Sequence, residues 1–434
     1  MTASGTANTP GAAGSAPGGA QQWGLLCVLS GNMLLDAVEV SVVLVALPTI
    51  GEAMDMSLPA VQWLMSGFAL GFGALLLLGN RIAALCGRRR AYLGAMAVFA
   101  LASVIGGVTD SESLLIATRV VKGCCAALTA PTGLAIISTA FRDGPQQRKA
   151  VSVYSMFGAT GFTAGLLLSA ALLESSWRWT LLFPAPLALA LLVFATRMIP
   201  HDSGAAGRAP RLNPGLLRDG RLLRSAVGAA TLNGTYAGLL LLITFQLQQR
   251  LGWSPWQCAL GLLPACVPLM VTVPFAGRLV ARWGTGLPIA LGALAPFLGC
   301  AVFLWRAPTE AYWSAVLPAL VLVEAGFVLS FAALNIQATA GIPAAERGAA
   351  VPLYQTGVQL GGVVTLPLVA LLLTEYEGYR PALVLVTSIS AVGVLTAFTV
   401  PRARLHPPGR VPTKNTGEEH RREFGRSADE GERG

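Results

Sequence analysis

Long apolar runs, separated by short polar segments, follow one another along almost the whole chain. A helix needs roughly 20 apolar residues to cross about 30 Å of hydrocarbon. Twelve runs meet this requirement, at residues 23–48, 61–80, 91–109, 115–140, 150–173, 179–198, 225–248, 257–280, 286–305, 313–338, 349–373 and 381–401. The pattern predicts an all-α integral membrane protein of about twelve transmembrane helices.

The central segment 199–224 differs sharply from its apolar neighbours, because it carries His201, Asp202, Pro210, Pro214 and five Arg. We expect it to be a cytoplasmic linker between two six-helix bundles. The predicted regions are a disordered tail at 1–22, a first bundle at 23–198, the linker, a second bundle at 225–401 and a disordered cytoplasmic tail at 402–434.

A sequence repeat supports this division into halves. The segment 80–87, Asn-Arg-Ile-Ala-Ala-Leu-Cys-Gly, recurs as 277–284, Gly-Arg-Leu-Val-Ala-Arg-Trp-Gly, 197 residues later. The copies follow the second and the eighth predicted helix. Two six-helix pseudo-repeats in the same orientation are typical of one class of secondary transporter.

Charge supports a membrane location and indicates the orientation. Only 12% of the residues are charged, against 54% hydrophobic, whereas soluble domains carry about 25% charged residues. With the N-terminus inside, 24 of the 30 Lys and Arg fall on the inner side, as the positive-inside rule requires. We therefore predict a multi-pass protein of the cell membrane with both termini cytoplasmic. The net charge of +9 then reflects topology, and no nucleic-acid partner is expected.

The sequence lacks the residues that several other functional classes require. An ATP-driven pump needs the phosphate-binding loop GxxxxGK[ST], and the three Lys, at 122, 149 and 414, do not occur in that pattern. The three His, at 201, 406 and 420, lie outside the apolar runs, and the seven Cys show no zinc-type spacing. We therefore expect no enzyme, no metal and no cofactor. A channel is disfavoured because two unequal halves with membrane-embedded charges favour alternating access.

Four segments carry a family resemblance. They are Glu39-Val-Ser-Val-Val-Leu-Val-Ala-Leu-Pro48 in helix 1, Gln62-Trp63 opening helix 2, the loop 80–90 ending Gly-Arg-Arg-Arg, and Arg119-Val-Val-Lys-Gly123 in helix 4. By these motifs the chain resembles the drug/proton antiporter branch of the major facilitator superfamily, from about residue 23 to 401.

The resemblance implies a bacterial, monomeric secondary transporter. It would export a small organic compound, such as a drug, antibiotic or secondary metabolite, by proton antiport with alternating access. Its partners would be that substrate, protons and the lipid bilayer. The alternative is proton-coupled or facilitative uptake of a small organic solute. The chain departs from the family pattern at Asn80 and Ala84, where the loop motif has Gly and Asp, and helix 5 lacks the Gly-Pro of the antiporter motif.

Helix 1 carries the polar residues Asn32, Asp36 and Glu39, whose spacings of four and three place them on one face. A charge at the centre of a membrane helix costs about 2.5–3.5 kcal/mol to insert, so this face should meet protein or a water-filled cavity. In one interpretation Asp36 or Glu39 is a proton carrier, with Glu39 favoured as the acid of the family motif and Arg119 implicated by its own motif. In the other, Arg119 and Lys122 hold both acids in a fixed network.

The predicted substrate cavity contains further polar residues of helices 7, 10 and 11. Glu324 stands in the middle of helix 10, where it would recognise a cationic or hydrogen-bonding substrate, serve as a second proton site, or remain a neutral buried acid. The resemblance places helices 1, 4, 7 and 10 around the cavity. Its other predicted residues are Asn32, Lys122, Asn233, Tyr236, Asn335, Gln355 and Gln359. Each polar residue can instead serve helix packing.

The basic loop after helix 2 is the predicted conformational gate. Its residues are Arg81, Gly87, Arg88, Arg89 and Arg90. In this interpretation they latch the cytoplasmic ends of the two halves. The alternative is that they only retain the loop on the cytoplasmic side.

Overall fold

The computed structural model describes residues 19–141, 144–199, 214–306, 312–376 and 378–399, and within them twelve spans are long and apolar enough to cross a membrane. The helices are α1 Gly19–Ala53, α2 Trp63–Cys86, α3 Arg88–Val108, α4 Glu112–Ala140, α5 Pro145–Leu173, α6 Pro184–Met198, α7 Gly220–Phe245, α8 in two parts, Pro255–Leu262 and Val267–Trp283, α9 Gly286–Arg306, α10 Leu317–Thr339, α11 Ala344–Glu375 and α12 Arg380–Phe398. The predicted number of spans and the all-α class are confirmed.

Short helical turns adjoin several of these helices. They are Leu58–Val61 before α2, Arg178–Leu182 before α6, Pro214–Arg218 before α7, Gln246–Arg250 after α7 and Tyr312–Val316 before α10. An even number of crossings brings both ends of the helical region to one side. We call this the terminal side, because it carries Gly19 and Phe398, and we call the opposite side the distal side.

Several helices begin a few residues earlier than the apolar pattern predicts. Helix α1 begins at Gly19, inside the predicted tail, and α7 begins at Gly220, inside the predicted linker. The start of α7 is fixed by Asp219, whose carboxylate accepts hydrogen bonds from the backbone N–H of Arg221 and Leu222. Such N-caps let a helix begin in a polar segment. Residues 1–18, 200–213 and 400–434, which hold most of the predicted tails and linker, lie outside the described residues.

The helices pair in the same way in both halves, since α1 packs along α5 and α7 packs along α11. The glycines of α5 allow the first of these contacts. A Cβ atom at Gly161 would lie 2.6 Å from the backbone oxygen of Leu34 in α1. Backbones approach this closely only where the side chain is absent. Gly161 therefore serves close packing of α5 on α1.

The apolar core is joined across the halves only on the distal side of the described chain. There one cluster includes Val42–Leu47 of α1, Leu239–Ile243 of α7 and the first turns of α10. On the terminal side the core is split into two clusters, one built from α1 and α3–α6 and one from α7–α11. The halves therefore close against each other distally and have separate cores terminally.

Polar contacts across the halves follow the same distribution. On the distal side, Gln248 donates to the backbone oxygen of Val45 (2.9 Å), and the indole of Trp256 donates to Glu174 (2.6 Å). Near the middle of the bundle, the Thr356 hydroxyl of α11 donates to the Gly73 oxygen of α2 (3.0 Å). These bonds add directional contacts to the distal closure.

Candidate functional site

Four ionisable residues from two helices form a buried cluster in the first half. Asp36 and Glu39 come from α1, and Arg119 and Lys122 come from α4; Glu39 is 0% exposed, both cations 1%, and Asp36 8%. Four charges at membrane depth are tolerated only when they compensate one another. With all four ionised, the cluster is neutral.

Glu39 lies between both cations. A guanidinium nitrogen of Arg119 forms an ion pair with Oε1 of Glu39, and Lys122 Nζ lies 2.5 Å from the same oxygen. Arg119 also donates to the backbone oxygen of Glu39 (3.2 Å) and to that of Leu64 (2.6 Å) in α2. The Glu39 carboxylate is enclosed by protein in this conformation, which is one of the two environments expected for this face of α1. For Glu39, though not for Asp36, the geometry is that of the fixed network.

The position of Arg119 depends on Gly123, one turn later in α4. A Cβ at Gly123 would lie 2.1 Å from the backbone oxygen of Phe68, and one at Gly71 would lie 2.0 Å from that of Val120. The two glycines therefore let α2 and α4 touch backbone to backbone. This contact brings Leu64 within reach of Arg119. In the RxxxG motif, the arginine is therefore the cation, and the glycine allows the helix contact that positions it.

Asp36 has a different environment, although it lies one turn from Glu39 on the same face. Its hydrogen-bond partners among the described residues are neutral: the amide of Asn32 (3.3 Å) and the hydroxyl of Thr129 (3.4 Å). It also lies closer to the terminal side than Glu39, because α1 runs from the terminal to the distal side. Asp36 can therefore gain or lose a proton without breaking an ion pair.

Two tyrosines lie near Asp36 that the sequence does not single out. Tyr92 of α3 and Tyr154 of α5 interact electrostatically with Asp36. The Tyr154 hydroxyl donates to the Ala130 oxygen (3.1 Å), and the buried Tyr92 hydroxyl has no hydrogen-bond partner among the described residues. A tyrosine in an apolar helix carries no signal that separates a core residue from a site residue. Only helix packing reveals this pair.

The second half contributes an acid with aromatic neighbours. Glu324 of α10 is fully buried, and Tyr236 of α7 and Cys266 of α8 interact with it electrostatically. The Tyr236 ring packs against Phe327 of α10, at a centroid distance of 5.1 Å. Tyr236 and Glu324, both predicted cavity residues, thus lie close together. Like Glu39, Glu324 is enclosed by protein in this conformation.

The remaining predicted cavity residues lie mainly at helix contacts. Asn233 of α7 donates to the Val358 oxygen of α11 (3.0 Å), which is a packing bond within the second half. Gln359 lies beside Gly73 at the contact between α2 and α11. Gln355 and Asn335 are partly buried. Asn233 and Gln359 therefore serve helix packing in this conformation.

The predicted gate shows local contacts. Arg89 donates to the backbone oxygens of Ile199 (3.1 Å) and Thr196 (2.7 Å), so it caps the end of α6 in its own half. Gly87 has φ +88°, a conformation that favours glycine, and it links α2 directly to α3. Arg81, Arg88 and Arg90 have exposed side chains. For Arg89, these two contacts cap the end of a helix.

Comparison with known proteins places this geometry in context. Residues 29–366 match the description of the Major Facilitator Superfamily. The chain is 30% identical to the puromycin resistance protein of Streptomyces alboniger, over 83% of this chain and 82% of that protein. It is 29% identical to the cephamycin export protein of Amycolatopsis lactamdurans, over 86% and 91% of the two chains.

Solved structures show the same fold at low sequence identity. The nucleoside transporter NupG superposes with a TM-score of 0.70 at 13% identity, covering 87% of this chain and 99% of its own. A bacterial homologue of the human lysosomal transporter Spinster gives 0.71 at 16% identity, covering 88% and 97%. These similarities bear on the fold alone.

Proposed function

The chain is a multi-pass membrane protein that belongs to the Major Facilitator Superfamily, and on that premise we propose that it exports a small organic compound in exchange for protons. The functions of these relatives, puromycin resistance and cephamycin export, favour outward transport. The positive-inside pattern favours a cytoplasmic terminal side. The conformation would then be closed to the outside and separated on the cytoplasmic side, which is the state in which an exporter loads its substrate.

The observation that carries proton coupling is the unequal environment of Asp36 and Glu39. Protonating Glu39 would remove the shared partner of two buried cations, and an uncompensated buried charge is costly. Protonating Asp36 breaks no ion pair, since its described partners are an amide and a hydroxyl. We therefore assign the carried proton to Asp36 and give Glu39, which the family motif favours, the role of organising Arg119 and Lys122.

The charge of the cluster then changes with the transport cycle. It is neutral when Asp36 is ionised and carries one positive charge when Asp36 is protonated. Burial disfavours a net charge on the cluster. The proportion of protonated Asp36 therefore changes when a conformational change brings water to Asp36 or removes it. Proton release toward the cytoplasmic side, near which Asp36 lies, would accompany substrate loading. Proton binding from outside would accompany substrate release.

The first experiment is a resistance assay in an efflux-deficient bacterial host. Expression of the chain should raise the inhibitory concentration of at least one compound in a panel of cationic and neutral antibiotics, and a protonophore should remove the effect. A lowered inhibitory concentration would favour the uptake alternative. An unchanged panel, with the protein present in the membrane, would count against export of this substrate class.

A further inference from the structure

One face of α10 carries an acidic residue near the middle of the helix and two aromatic residues toward the terminal side. Glu324, Phe327 and Phe331 are spaced by three and four residues, so they share this face. Glu324 is fully buried, whereas both phenylalanines are partly exposed. Their rings stack at 4.9 Å between centroids with an interplanar angle of 13°. This face therefore has an acid at its inner end and aromatic rings leading to it.

Helices α7 and α5 extend the aromatic surface. Tyr236 lies 5.1 Å from Phe327 and 6.2 Å from Phe162, between ring centroids. Phe162 belongs to the first half and Tyr236 to the second, so the rings meet at the interface between the halves. All four aromatic side chains are partly exposed. They lie where the joined distal core gives way to the separate terminal cores.

The position of Tyr236 is set by an interruption in α8. The α-helix is interrupted between Leu262 and Val267 by the 3₁₀ turn Leu263–Ala265, and the Tyr236 hydroxyl donates to the Ala265 oxygen (2.7 Å) in this interruption. A departure from α-helical backbone at membrane depth is tolerated where it is buried in protein or lines a cavity. Transporter binding sites are typically built at such discontinuous helices. The interruption therefore lies next to the acid and its rings.

We infer that Glu324, Tyr236, Phe327 and Phe331 form a subsite for the cationic group of the substrate, either a protonated amine or a quaternary onium group on an apolar body. The inference rests on the proposed export function and specifies its substrate class. Aromatic faces attract cations through their quadrupole, with about 0.5–2 kcal/mol at each favourable contact. A carboxylate behind the rings adds a full counter-charge, which acts strongly at low dielectric. A neutral solute gains neither the attraction to the rings nor the attraction to the carboxylate.

Direct binding to the purified full-length protein tests the subsite. Equilibrium dialysis would compare tetraphenylphosphonium, a permanent cation, with triphenylphosphine oxide, a neutral compound of related shape. Glu324→Gln should weaken tetraphenylphosphonium binding by about tenfold or more, because each tenfold step is only about 1.4 kcal/mol. Its effect on the neutral compound should stay below about threefold, since the apolar contacts remain.

Further variants separate the contribution of the charge from that of the aromatic rings. Phe327→Leu removes one ring and should weaken cation binding about threefold to tenfold. Glu324→Asp restores the charge and should recover part of the affinity. Equal weakening of both compounds, or unchanged cation binding in Glu324→Gln, would overturn the proposal. So would absence of tetraphenylphosphonium binding to the wild type, while export of neutral antibiotics could still be observed.

Discussion

The guanidinium of Arg119 in α4 binds Glu39 of α1 twice, through the carboxylate and through the backbone carbonyl oxygen. The same side chain reaches the Leu64 oxygen of α2. One arginine therefore ties three helices of the first half together. Lys122 is the second cation at Glu39. Because the cluster contains two cations and two acids, loss of one acid leaves one positive charge without compensation.

Glu39→Gln should destabilise the protein because it leaves two buried cations with one carboxylate, Asp36, that is bound elsewhere. Breaking a buried ion pair typically costs about 3–5 kcal/mol. Thermal unfolding of the purified protein would measure the loss. Glu112→Gln is the matched control, since Glu112 is exposed in the first turn of α4.

Adding Lys122→Met to Glu39→Gln restores the charge balance, so the double variant should be more stable than Glu39→Gln alone. A double-mutant cycle measures this coupling directly. Additive losses would mean that Lys122 and Glu39 do not compensate each other in the folded protein.

Asp36→Asn should retain the fold and lose proton coupling. The amide can still pair with Asn32 and Thr129, so the melting temperature should remain within a few degrees of wild type. The variant fixes the cluster in the charge state of protonated Asp36. We expect resistance to be lost in cells, and substrate added to proteoliposomes should equilibrate without responding to a pH gradient.

A pyranine signal inside the vesicles reports the proton side of the same reaction. Substrate should drive proton movement in the wild type and not in Asp36→Asn. Proton movement of normal size in Asp36→Asn would transfer the carrier role to another group.

Gly123→Ala should destabilise the contact between α2 and α4, because its Cβ would lie 2.1 Å from the Phe68 oxygen. Overpacking of this kind typically costs about 1–3 kcal/mol. Fluorescence-detected size exclusion after heating would measure the effect. Gly94→Ala in α3 is the control, since its Cβ would meet no atom within 4 Å and alanine is the better helix former. Equal behaviour of the two variants would contradict the close-contact account.

Arg89→Gln should lower stability without changing the transport rate per folded molecule, because Arg89 caps the end of α6 within its own half. Loss of a charged helix cap is worth roughly 0.5–2 kcal/mol. Transport assays normalised to folded protein would distinguish this role from that of a latch. A change in substrate affinity or rate at equal folded protein would restore the latch interpretation.

A cross-link on the distal side should stop transport. Glu174 of the first half and Trp256 of the second are hydrogen-bonded through long side chains, so a Cys pair at these positions, joined by a bifunctional thiol reagent, can hold the halves together. The exposed Cys27 and Cys86 would first be replaced by Ser. Reaction with the bifunctional reagent should abolish transport, whereas a monofunctional thiol reagent should not.

The control for this cross-link is a Cys pair at Asp110 and Arg178, which form an ion pair within the first half. Joining that pair with the same reagent should leave transport intact. Full transport with the Glu174–Trp256 pair joined would show that the distal closure does not open during the cycle.

The sequence by itself determined the number of spans, the division into halves and the face that Asp36 and Glu39 share. These follow from the length of apolar runs and from helical periodicity, which are local properties. The close packing of the α5 glycines on α1 was also predictable, since small residues at helical spacing have few other roles in a membrane.

Only the tertiary structure decided which acid the cations hold. Asp36 and Glu39 are equivalent by spacing, and the close packing of α2 on α4 at Gly71 and Gly123 accompanies the placement of Arg119 and Lys122 on Glu39. Likewise, Tyr92, Tyr154 and Phe162 reach their neighbours across helices far apart in the chain. Such contacts depend on how whole helices are rotated and offset against each other, and the sequence of one helix does not contain that information.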